Sequence, residues 1–133
     1  MRVLGLDMGE RFIGVAVSDS NGRMAVPLEV VERRGRLAGL AEVAGLAEEA
    51  GAEMIVVGMP FSLDGSMGPQ ADRIQADVAL LAKETSLPIE YADERLSSRA
   101  ALGLVAHKGR RRNKGRLDAS AAAVILQSWL DAR

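Results

Sequence analysis

Val3-Leu4-Gly5-Leu6-Asp7-Met8-Gly9-Glu10-Arg11-Phe12-Ile13-Gly14-Val15-Ala16-Val17 opens the chain with two apolar runs separated by a short polar turn. The first run ends on a carboxylate, Asp7. A bare carboxylate at the end of a core strand is costly to desolvate unless it is paired or holds a metal. Glycines at 5, 9 and 14 leave room for a bulky group to approach the backbone. The pattern predicts a hairpin of two buried strands, over 3–7 and 12–18, with a metal or phosphate site at its turn end.

Working outward, Asn21-Gly22 supplies a second turn, and 24–31 (MAVPLEVV) reads as a third strand whose Pro27 suits a sheet edge. A helix follows over about 35–50, with Leu37, Leu40, Ala44 and Ala47 on one face and Gly51 past its end. Residues 53–58 read as a buried strand and 59–68 as a loop. Pro69 begins a helix with the stripe Ala71, Ile74, Val78 and Leu81. A short strand over 89–92 stops at Asp93-Glu94, a helix spans 97–106, and a long helix runs over 115–131. An antiparallel start followed by helix-crossover strands predicts a mixed sheet covered by helices on both faces.

The 133 residues suit one domain, spanning 1–133, and 48% are hydrophobic, enough for a core. Aromatics are only 3%, which argues against a single-strand binder built on stacking platforms. No cysteine means no disulfide framework and no thiolate chemistry. No apolar stretch approaches a membrane span, and the chain starts on a strand without a basic-then-apolar leader, so a cytoplasmic protein without membrane contacts is expected. The net charge of −1 conceals an asymmetry. Residues 108–116 (KGRRRNKGR) carry six basic groups and no acid, leaving 11 basic and 18 acidic groups elsewhere. Such a segment fits a polyanion contact or, more plainly, a solvated basic loop.

Asp7, Glu94 and Asp118 each sit at the end of an element. Asp7 and Glu94 close buried strands, where ligand sites in open α/β sheets gather. Asp118 shares a helix face with Ala121, Ala122, Ile125 and Trp129, and the positive helix end favours its ionised form. Three converging carboxylates repel one another unless a hard divalent cation such as magnesium sits among them. Each acid also has an ordinary reading: a turn residue, a partner of Arg95 or Arg99, a helix-start acid. His107 alone cannot form a triad or a zinc site, and Ser18, Ser62, Ser97 and Ser98 have no evident base. Trp129 and the six methionines read as packing.

Four ordered blocks, DMGERFIGVAVSD (7–19), VVGMPFSLDGSMGPQA (56–71), DERLSSRAA (93–101) and NKGRLDASAAAVILQSWL (113–130), resemble those of the YqgF/RuvX family nearly end to end. That family comprises bacterial RNase H-like proteins assigned to pre-16S rRNA processing and also to Holliday junction resolution. The resemblance implies an RNase H-like five-stranded sheet, with β1, β2 and β3 antiparallel and two further strands parallel to β1. It implies magnesium- or manganese-dependent phosphodiester hydrolysis, with the family's acids falling on Asp7, the Asp93-Glu94-Arg95 block and Asp118. Strand alternation sends Asp93 and Glu94 to opposite faces, so Glu94 is taken as the ligand and Asp93 as a supporting acceptor. Glu10 stands where the family usually has a small hydroxyl residue, and Ser62 where it often has Asn.

The expected activity is therefore a metal-dependent endonuclease acting on structured nucleic acid, with Asp7, Glu94 and Asp118 as catalytic metal ligands. Arg11, Arg95, Lys108, Arg110, Arg111, Arg112 and Lys114 would hold backbone phosphates of an rRNA precursor. Rivals are a junction resolvase on branched DNA, a non-catalytic RNA-binding module, and an actin/hexokinase-type phosphotransferase, whose nucleotide clamp needs two lobes. Monomer and homodimer both remain open.

Overall fold

The computed structural model describes residues 1–60, 68–94 and 114–133, with 114–118 traced by backbone alone. The expected loop residues 61–67, the helix over 97–106 and most of the basic segment lie outside the described residues, as do His107, Ser62, Ser97 and Ser98.

Five strands form one sheet in the order β3-β2-β1-β4-β5. They are β1 (Val3–Met8), β2 (Phe12–Ser18), β3 (Ala25–Glu32), β4 (Met54–Met59) and β5 (Ile89–Asp93). β1–β2 and β2–β3 are antiparallel, whereas β1–β4 and β4–β5 are parallel, as the opening hairpin and the later helical crossovers predict. Pro27 lies on edge strand β3, where the register with β2 shifts between Val15 and Ala16. A missing N–H is harmless at such a place. Gly22, at φ 68°, supplies the left-handed residue that the second turn requires.

Among the described residues the helices are α1 (Arg36–Glu49), α2 (Pro69–Leu81) and α3 (Lys114–Asp131). Strand alternation divides the core in two. Leu4, Leu6, Met8, Ile13, Val57 and Met59 pack against Leu40 and Val43 of α1 and Ile74 of α2. On the opposite face Val3, Ala16, Val56 and Ala92 pack against Ala122, Ile125 and Leu126 of α3. Helices thus cover both faces.

Some details depart from the sequence reading. The buried face of α1 is Gly39, Leu40, Val43 and Ala47, while Leu37 is 57% exposed. At about 100° per residue, Leu37 lies roughly 100° round the helix from the centre of that face. α3 begins at Lys114, so the last residues of the basic segment belong to a helix rather than a loop. Its buried side is Ala119, Ala122, Ile125, Leu126 and Leu130, and Trp129 packs at the margin beneath the Arg133 guanidinium, 4.7 Å from the ring centre. Ser18 is structural: its Oγ accepts from the Val3 N–H at 2.8 Å and donates to the Asp19 carbonyl.

Candidate active site at the carboxyl edge of the sheet

Asp7 is the penultimate residue of β1 and is half-buried. It alternates in step with Val3 and Gly5, which places it on the α3 face. The room at Gly5 is not left for a ligand. A Cβ there would stand 2.7 Å from Leu126 Cβ, so the glycine admits α3 instead. Gly9 likewise serves the turn: a Cβ would come within 2.4 Å of the Phe12 carbonyl oxygen, which accepts from the Gly9 N–H at 2.9 Å.

The β1–β4 register pairs Leu6 with Val57, so the next step along sets Asp7 beside Gly58. Gly58 pairs in turn with Ala92 of β5. Glu94, two residues beyond Ala92, keeps the same parity and reaches back across β4. Its Oε1 lies 3.0 Å from where a Gly58 Cβ would stand, and Ile125 Cδ1 lies 2.8 Å from that point. The missing side chain at Gly58 is the cradle for the Glu94 carboxylate. That carboxylate therefore sits about one strand spacing, ~5 Å, from the β1 row that carries Asp7. Asp93 pairs with Met59 and takes the opposite parity.

Burial pushes the Glu94 carboxyl above its ordinary range, and the neighbouring Asp93 charge pushes it further. A desolvated acid in line with another acid on one face is an all-oxygen donor set, which fits a hard divalent cation. α3 runs away from this edge. Leu126 covers Gly5, and Gln127 bonds the Ala25 N–H and the Arg23 carbonyl at the far end of the sheet. The amino-terminal half of α3, which includes position 118, is thereby directed toward the Asp7–Glu94 edge. The Asp118 side chain lies outside the described residues, and among the described residues no group of three acids or histidines could hold a metal.

Of the expected phosphate contacts, Arg11 stands on the turn after β1. Its side chain is 76% exposed, with Nε 3.9 Å from Glu32 and the guanidinium over the Phe12 ring. Arg95, Lys108, Arg110, Arg111 and Arg112 lie outside the described residues, as does the Lys114 side chain. Glu10 ion-pairs with Arg73 of α2, Oε1 to Nη1 at 2.6 Å, on the α1–α2 side of the turn.

One charged cluster has no counterpart in the sequence reading. Asp77 is 1% exposed and accepts from Arg33 Nη1 at 2.9 Å, Arg33 Nη2 at 3.0 Å and Arg36 Nε at 2.7 Å. Burial raises its pKa, but the two guanidinium partners outweigh that and hold it below the ordinary value. Arg33 also donates to the Gly9 carbonyl at 3.1 Å, so the cluster ties the Asp7 turn to α2. A signal existed: Asp77 lies three residues after Ile74 and four before Leu81, on the apolar stripe itself.

This sheet order, with one helix on one face and two on the other among the described residues, is the RNase H-like architecture. A profile of the RuvX family, described as Holliday junction resolvase, matches residues 1–132, and the chain belongs to that family. A relative from Synechococcus elongatus, named "Putative pre-16S rRNA nuclease", is 44% identical over 96% of this chain and 87% of its own length. One of the same name from Anaeromyxobacter sp. is 46% identical over 100% of this chain and 98% of its own length. Among solved structures, RuvC from T. thermophilus in complex with a Holliday junction substrate superposes with TM-score 0.62 at 19% identity, covering 99% of this chain and 96% of that one. The fowlpox virus Holliday junction resolvase gives 0.63 at 8% identity, covering 100% of each chain. At these identities the two structures speak for the fold.

Proposed function

We propose that this chain is a divalent-metal-dependent endonuclease that cuts structured RNA during maturation of the 5′ end of 16S rRNA. Membership in the RuvX family and the names of its relatives support the nuclease activity and the rRNA substrate. The observation that carries the site is the Glu94 carboxylate seated over Gly58 in the row that continues to Asp7.

Asp7 and Glu94, joined by Asp118 from the start of α3, would hold the cation, magnesium or manganese. When bound, it supplies charge stabilisation at the phosphoryl oxygens and lowers the pKa of water. The acids would orient the cation, with Asp93, on the other parity, as a supporting hydrogen-bond acceptor. The α3 face, closed by Leu126 and Ile125, keeps the inner side of the site dry. Arg11, Arg95, Lys108, Arg110, Arg111, Arg112 and Lys114 would hold the flanking phosphates. No helix among the described residues is long and apolar enough to cross a membrane, and the substrate would be met in the cytoplasm.

The test is a cleavage panel that sets precursor 16S rRNA against a four-way DNA junction, with magnesium, manganese or chelator. Specific scission of the RNA, abolished by chelator and by Asp7→Asn, is the expected result. Cutting of the junction alone would move the substrate to branched DNA. Unchanged turnover in Asp7→Asn would overturn the site.

A further inference from the structure

The described residues include a cavity of about 420 Å³ lined by Glu10, Arg33, Gly35, Arg36, Arg73 and Asp77. It lies on the α1–α2 side of the turn after β1, across that turn from the carboxylates. Three guanidinium groups face two carboxylates there, so the cavity keeps one net positive charge. The charges are unequally committed. Arg33 and Asp77 form the floor, with side chains 7% and 1% exposed. Arg36 and Arg73 are 47% and 33% exposed and form the walls. Gly35 caps α1 without any side-chain bond, so the positive end of that helix also lines the cavity.

The donors exceed the acceptors. Arg73 spends Nη1 on Glu10, and its buried Nε has no hydrogen-bond partner among the described residues. Glu10 is the weakest member. Its side chain is 77% exposed, it sits on a surface turn, and among the described residues it ion-pairs with Arg73 alone. An exposed pair of this kind contributes little to stability and exchanges readily for a better ligand. Planar guanidinium forks suit a phosphate group, which can accept two parallel N–H bonds from one arginine.

We infer that this cavity is a second phosphate-binding site, which takes a backbone phosphodiester of the nucleic acid, and that Glu10 is its built-in competitor for Arg73. The inference rests on the nuclease reading for the source of the phosphate. The Arg33 bond to Gly9 joins the cavity floor to the Asp7 turn, so a strand held here would continue over that turn to the carboxylate edge.

The test measures binding of a labelled single-stranded RNA by fluorescence anisotropy at several salt concentrations, in an Asp7→Asn background so that nothing is cut. Arg73→Gln should weaken binding about tenfold, the size of one charge-assisted contact. It should also flatten the slope of log K against log salt by about 0.7, the value of one single-strand phosphate. Glu10→Gln should tighten binding severalfold, and that gain should vanish when Arg73→Gln is also present. Arg36→Gln provides a second probe should Arg73→Gln lose its fold by thermal melting.

Parent-like affinity and slope in Glu10→Gln, Arg73→Gln and Arg36→Gln would overturn the site. Inorganic phosphate separates the two readings. Failure of the parent to bind either this RNA or precursor 16S rRNA, alongside Arg73-dependent thermal stabilisation by phosphate, would keep the phosphate site and reject both the nuclease reading and the nucleic acid as its source.

Discussion

The Glu94 Oε1 atom lies 3.0 Å from the position a Cβ on Gly58 would take. A strand residue without a side chain thus holds a half-buried carboxylate in line with Asp7. The relation is sensitive from both sides.

Replacing Gly58 with Ala should press the new methyl on Ile125 Cδ1 and Glu94 Oε1, at 2.8 and 3.0 Å. Both are the far ends of flexible side chains and can give way. The fold should lose about 1–3 kcal/mol, as overpacking usually costs, while cleavage should fall by at least tenfold because Glu94 is displaced. Chemical denaturation and single-turnover cleavage read the two effects separately. Unaltered cleavage would mean that the position of Glu94 is unimportant.

Glu94→Gln removes a charge that burial and Asp93 both disfavour. Without divalent ions, this variant should melt at or above the parent temperature. Manganese should raise the parent's melting temperature and leave that of the variant nearly unchanged, since ligand stabilisation grows with affinity. A variant that gains as much as the parent from manganese would remove Glu94 from the ligand set.

Asp77 predicts an acid limb of stability. Its folded pKa lies below the ordinary 3.8 because Arg33 and Arg36 outweigh burial. Its contribution is therefore present in full above the unfolded carboxylate pKa and is lost as pH falls from there through the folded value. Asp77→Asn should cost about 3–5 kcal/mol at neutral pH, since it leaves Arg33 buried without its counter-ion. It should also flatten stability against pH below about 4. Denaturation at a series of pH values checks both.

Gly9→Ala should be the harshest of the glycine changes. The added methyl would meet the Phe12 carbonyl oxygen at 2.4 Å, and a backbone atom in a hydrogen-bonded turn cannot step aside. Loss of cleavage together with a marked fall in melting temperature is expected. Gly45→Ala, which meets nothing within 4 Å on α1, is the matched control and should be neutral or slightly stabilising.

Much of the fold was legible because it is written in local periodicity. The continuous apolar runs over 3–7 and 12–18, Asn21-Gly22, Pro27 and Pro69 each act on their own few residues. Each described strand and helix begins within one residue of the position the sequence predicts. The stripe on α1 was harder, since Leu37 and Val43 are both apolar and only the packing of the helix against the rest of the core chooses between them. Asp77 was harder still. Its place on the α2 stripe is visible in sequence, but its partners Arg33 and Arg36 lie 44 and 41 residues away.

The amino-acid sequence by itself determined that a carboxylate lies near the end of the first strand, that Asp93 and Glu94 close the last, and that those two face opposite ways, because side-chain direction within one strand is set by counting. Only the tertiary structure decided that Glu94 leans across Gly58 toward β1, that Gly5 is filled by α3, and that Glu10 turns to Arg73. Those outcomes depend on strand register and on which residues the folded chain brings side by side across tens of positions. Packing of distant elements fixes both, and no run of neighbouring residues encodes it.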